Sequence, residues 1–153
     1  MTPFLLLLPI LFVAAVFDLR HYRIPNLLVL LALALFLATA VIPGSDEVAA
    51  RLLQGAVTFA ICFILFGLRL MGGGDAKLLP VVLLFVPAGD VATYLFCLSF
   101  GLALGIGGLT LLRRWDAVPA AGWAAFERRE GFPVGLAIAI SAAAFAAVQS
   151  WTP

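Results

Sequence analysis

Apolar residues along this chain come in long unbroken runs, not at the alternating spacing of a half-buried strand or as the single stripe of a soluble amphipathic helix. Six stretches carry no charge: residues 2–17, 27–42, 52–68, 78–86, 91–112 and 132–151. About 20 apolar residues carry a helix across the hydrocarbon core, so five of these read as spans of ordinary or slightly short length. The fourth is shorter. It either forms a short helix shielded inside a bundle, or it merges with the fifth across Pro87, Ala88, Gly89 and Asp90.

Charge placement decides between these. With six spans, Arg20, Arg23, Arg69, Lys77, Arg113, Arg114, Arg128 and Arg129 share one side and Arg51 alone lies on the other, so eight of the nine basic residues obey the positive-inside rule. Five spans would split them four to five and abolish the asymmetry. The pattern therefore predicts an all-α membrane protein: one unit over residues 1–153, a bundle of six transmembrane helices with both termini outside. No Lys or Arg precedes the first apolar run, whereas positive charges follow it, the reverse of a secretory signal. It is expected to be a retained first helix.

Composition agrees, with 65% hydrophobic and 11% charged residues. A formal net charge of +1 leaves no polybasic surface for nucleic acid. Cys62 and Cys97 lie within apolar runs, far apart in sequence, and read as buried thiols, with no disulfide framework and no metal site. Gly101, Gly105 and Gly108 recur at helical spacing, as do Gly135, Ala139, Ala142 and Ala146, which predicts two faces where helices pack closely. The segment 113–131 mixes Trp115, Trp123 and Phe126 with Glu127, Arg128, Arg129 and Glu130, as a stretch in the headgroup region does. It reads either as a passive surface linker or as a docking surface for substrate.

Ionisable residues at helix ends in a membrane protein are costly to desolvate, which makes two aspartates candidates for function. Asp18 ends the first helix, and Asp75 opens the fourth after Gly72, Gly73 and Gly74; both fall on the inner side. Two converging carboxyls can share a proton, one activating water as a base and the other serving as acid, which is the chemistry of peptide hydrolysis without a metal or other cofactor. Helix-end dipoles suggest that Asp75 is the ionised partner and Asp18 the holder of the shared proton. Glycines before Asp75 permit close backbone approach and unusual conformations. Pro25 fixes the short loop beside Asp18 and starts the second helix, and Lys77 is placed to pair with Asp75.

These elements resemble the aspartic prepilin peptidases, the type IV prepilin leader peptidase family. Its signature is an Asp followed by Ile-Pro-Asn, then Gly-x-Gly-Asp with a nearby Lys. Here these are Asp18, Ile24-Pro25-Asn26, and Gly72-Gly73-Gly74-Asp75 with Lys77. Phe132-Pro133-Val134-Gly135 looks like the family's Pro-aromatic-Gly element, with Val134 in place of the aromatic. The resemblance implies that Asp18 and Asp75 are the catalytic pair, and that Gly72, Gly74, Lys77, Pro25 and Asn26 bind substrate or shape the loops. It further implies a substrate that is a pilin-like precursor with a basic leader and an apolar helix, cleaved on the cytoplasmic side of a bacterial or archaeal inner membrane. The loop between Asp18 and Asn26 is too short for the methyltransferase-associated insert of larger members, so the chain is similar to the compact peptidase-only form that serves tight-adherence pili. Two readings compete: a presenilin-like intramembrane protease, which shares only the second motif, and a small proton or cation transporter, whose acids usually sit near mid-span.

Overall fold

A computed structural model of the chain describes residues 2–40, 47–114, 123–127 and 132–151. All regular structure among them is helical: α1 (Thr2–His21), α2 (Asn26–Ala40), α3 (Val48–Gly67), α4 (Asp75–Phe85), a 3-10 turn (Ala88–Asp90), α5 (Val91–Arg114), the one-turn α6 (Ala124–Glu127) and α7 (Val134–Trp151). By length and composition four segments can cross a membrane: Pro3–His21, Val48–Gly67, Ala88–Arg114 and Val134–Trp151. Asn26–Ala40 is apolar but shorter. With 11 residues, α4 extends about 16 Å, half a bilayer core. The six apolar stretches are therefore six helices, of which four reach full spanning length. The last two residues expected in the second stretch, 41–42, and most of the 113–131 segment, including Trp115, Arg128, Arg129 and Glu130, lie outside the described residues.

Prolines set several boundaries. Pro25 immediately precedes α2, accepting from the Leu28 N–H at 3.0 Å. Val86, before Pro87, takes the extended conformation that a following proline imposes (φ −84°, ψ 128°), so α4 ends and does not merge with α5. Gln54 of α3 covers that end, donating to the Leu83 carbonyl at 2.6 Å and the Val86 carbonyl at 3.3 Å. Helix ends are richer in charge than the apolar stretches suggested: α1 continues through Asp18 and Arg20 to His21, and α3 begins early enough to hold Arg51 in its first turn, 3.9 Å from Glu47.

The short α4 is the centre of the bundle. Asp75, Ala76, Leu78 and every residue from Pro80 to Phe85 are buried, against α3 on one side and α2, α1 and α7 on others. Incomplete spanning is tolerable because protein, not lipid, surrounds it. The core joins Leu7 and Leu11 of α1, Phe36 of α2, Leu78 and Val82 of α4, Tyr94 of α5 and Ile138 and Phe145 of α7. Phe145 meets both Phe4 and Tyr94 edge to face, with centroids 5.1 and 5.6 Å apart. Large apolar side chains such as Phe12, Phe63 and Phe96 point outward, as lipid-facing positions do.

Small residues bring α5 onto α7, though not along the whole stripe expected. A Cβ at Gly101 would lie 2.7 Å from the Ala137 carbonyl, and one at Gly105 would lie 2.6 Å from the Phe132 ring. Gly108 is exposed, with open space where its Cβ would be. On α7 the residues meeting Gly101 are Ala137 and Ser141, while Gly135 turns toward α1. Gly105 already meets Phe132, which precedes the start of α7 at Val134, so Gly108, nearly a turn further along α5, lies beyond the reach of α7.

Candidate active site

The C-terminal end of α1, the N-terminal ends of α2, α4 and α7, and the C-terminal end of α5 meet at one end of the bundle. Asp18 and Asp75 are both buried there, with 4% and 7% of their surface exposed. Asp18 Oδ2 accepts the Gly135 backbone N–H at 2.8 Å, a donor left free because Gly135 lies in the first turn of α7. Asp75, in the first turn of α4, has its Oδ1 buried without a hydrogen-bond partner. The two aspartates share a packing neighbour, since Gly74, next to Asp75, and Gly135, which donates to Asp18, both lie against Ile24.

Backbone proximity builds this arrangement. A Cβ at Gly72 would come within 2.6 Å of Asp75 Oδ2. A Cβ at Gly74 would lie 3.0 Å from Ile24 Cβ, and one at Gly135 would lie 2.9 Å from Asp18 Oδ2 and 3.1 Å from Ile24 Cδ1. Ile24 is thus a buried spacer between the two glycines, and those glycines let α4 and α7 close on it from two sides. None of Gly72, Gly73 and Gly74 occupies the left-handed region, so what they contribute is space, not unusual conformation. Among the described residues the left-handed positions are Tyr22 (φ 50°) and Arg69 (φ 60°), each just beyond a helix end where the chain reverses.

Lys77 does not pair with Asp75. Its Nζ donates to Asn26 Oδ1 at 3.2 Å, tying the start of α4 to the start of α2 across the mouth of the site. Two residues along a helix turn the side chain by about 200°, so the lysine leaves the buried face that the aspartate occupies. Pro25 and Asn26, with Phe17, His21, Arg23 and Ile24, line an open pocket of about 420 Å³ at the α1–α2 connection. Among the described residues no three His, Cys, Asp or Glu side chains gather where a metal ion could be held.

The structure therefore brings Asp18, Asp75, Gly72, Gly74, Pro25 and Asn26 to one end of the bundle, with Lys77 at its rim. The sequence reads Gly135 as a packing residue and as part of a Pro-x-Gly element, but does not show its contact with Asp18 or the place of Ile24 between the two glycines. The trace of both was present in the Ile-Pro-Asn and Pro-x-Gly elements. The helix-end argument, which takes Asp75 as the ionised partner, rests on each helix's own dipole. That argument considers each helix alone and lacks the N–H that α7 supplies to α1.

No curated protein and no solved structure matches the chain. A model of the type IV leader peptidase family matches residues 5–113, which hold both aspartates, Ile24-Pro25-Asn26 and the glycine run but end before Gly135. With that match over most of its length, this multi-pass helical membrane protein belongs to the type IV leader peptidase family and is a peptidase.

Proposed function

We propose that the chain is an aspartic endopeptidase that removes the short leader of a pilin-like precursor on the cytoplasmic side of a bacterial or archaeal inner membrane. Asp18 and Asp75 are its catalytic pair. In this reading the chain is one unit of six membrane helices with both termini outside, and it acts on the leader without methylating the product. The carrying observation is two buried carboxyls at the same end of the bundle, one held by a backbone N–H and the other with an unpartnered oxygen. An acceptor buried without a partner is costly, and a water hydrogen or the shared proton is the group that completes it.

Hydrolysis then runs by acid–base chemistry. One carboxylate takes a proton from water as the water oxygen attacks the scissile carbonyl, while the protonated partner donates to the carbonyl oxygen. Collapse of the tetrahedral intermediate breaks the C–N bond: the leaving amine takes the proton held by one acid, and a hydroxyl of the gem-diol returns its proton to the other carboxylate as the product carboxyl forms. Water is consumed, and the pair again shares one proton. The surrounding residues hold geometry: Gly72 and Gly74 allow close packing about Asp75 and Ile24, and the Lys77–Asn26 contact spans the two loops.

Co-expression with a pilin-like precursor in a host lacking its own peptidase tests this. The wild-type chain should shorten the precursor. Asp18→Asn and Asp75→Asn should each abolish cleavage while still accumulating in the membrane, because an amide cannot relay the proton. Substantial cleavage by either variant would remove the dyad.

A further inference from the structure

We propose that Arg113, at the end of α5, is a positioning residue for Asp18 that acts through Tyr22, an inference that rests on the peptidase reading above. The Arg113 guanidinium reaches in two directions. Nη2 donates to the Tyr22 hydroxyl at 3.0 Å, while Nε and Nη2 both donate to the Ala125 carbonyl at 2.9 and 2.6 Å. This fork ties α5 to the fully buried Ala125 of α6 and to the turn after α1. A second contact holds the same elements together, since Arg20 of α1 lies 4.8 Å from the centre of the Trp123 ring, just before α6.

Tyr22 is where that tie reaches the chemistry. Its N–H donates to the Asp18 carbonyl at 2.8 Å, closing the turn of helix that carries Asp18. Its left-handed φ of 50° persists in a non-glycine residue only where surrounding contacts hold it. The reversal at Tyr22 directs Ile24 between Gly74 and Gly135, and Gly135 supplies the N–H on Asp18 Oδ2. Arg113 touches neither carboxyl, so its influence passes through the Tyr22 hydroxyl to the backbone of Asp18 and to the Ile24 spacer. The alternative, that Arg113 only docks α6, needs the Ala125 bonds and not the bond to Tyr22.

Tyr22→Phe separates these roles, because it deletes one hydroxyl and leaves Arg113 on Ala125. Arg113→Lys keeps the charge but cannot span both partners. With the full chain in proteoliposomes and a pilin-like precursor as substrate, each variant should lower kcat about tenfold with KM within about twofold, since small misplacement of a reacting group costs rate and not binding. The double variant should be no slower than the slower single variant, because both changes break one link. Amide exchange at Gly135, measured without substrate, should quicken about tenfold relative to Ala142 in the core of α7. Wild-type kcat in Tyr22→Phe, a change in KM alone, or unchanged exchange at Gly135 would overturn the positioning role. If the wild-type chain cleaves no precursor the peptidase reading fails, and the exchange measurement still decides whether Arg113 sets the Asp18 contact.

Discussion

Gly135→Ala adds one methyl group at the point where α7 meets Asp18. Alanine favours a helical position over glycine by up to about 1 kcal/mol, so by local propensity the variant would be the more stable protein. Against this, the new Cβ would lie 2.9 Å from Asp18 Oδ2, 3.1 Å from Asp18 Cβ and 3.1 Å from Ile24 Cδ1, three contacts tighter than ordinary packing on residues themselves wedged in the core. Overpacking of this kind costs about 1–3 kcal/mol. The propensity offsets about 1 kcal/mol of that cost, and the expected change in stability is a loss of about 0–2 kcal/mol. Activity should suffer far more. Relief of the clash moves the Asp18 carboxyl away from the Gly135 N–H, and a displacement near 1 Å at a reacting group costs about a hundredfold in rate, equivalent to about 2.7 kcal/mol of barrier. Gly108→Ala is the matched control, a helical glycine with open space at its Cβ. Precursor cleavage by the two purified variants, with thermal unfolding of each in the same detergent, isolates the clash from the propensity. Wild-type cleavage by Gly135→Ala would refute the argument that this contact places Asp18.

Cleavage rate should pass through a bell in pH, since a dyad sharing one proton fails when both acids are protonated and again when neither is; activity that stays flat from acid to alkaline pH in the folded protein would exclude that mechanism. Reporter fusions after Arg20, Leu70 and Arg114 should read as cytoplasmic and one after Asp90 as external, whereas an external signal after Arg114 would restore five spans. Gln54→Leu removes the side-chain donor from the Val86 carbonyl and from the Leu83 carbonyl, which keeps the Val86 N–H, and should destabilise the protein by about 1–3 kcal/mol in denaturant titration. The same variant should keep its kcat, because Gln54 works at the far end of α4 from Asp75.

Much of this protein is written in local pattern. Unbroken apolar runs require helices, since only a helix satisfies its own backbone in lipid. The ends of α2 and α4 follow from Pro25 and Pro87, which act on their immediate neighbours and are legible one residue at a time. Asp18 and Asp75 stand out because an acid flanked by apolar runs is expensive wherever it folds. Distance across the bundle is a different matter. That Lys77 reaches Asn26 and not Asp75, that Gly108 faces open space, and that Gly135 gives its N–H to Asp18 depend on how helices far apart in sequence are rotated against one another. Those rotations are set by the fit of side chains such as Ile24 into gaps left by two glycines on different helices. The two aspartates and the loop residues around them were therefore legible in the sequence, whereas the hydrogen bonds they make arise only when helices far apart in sequence pack together.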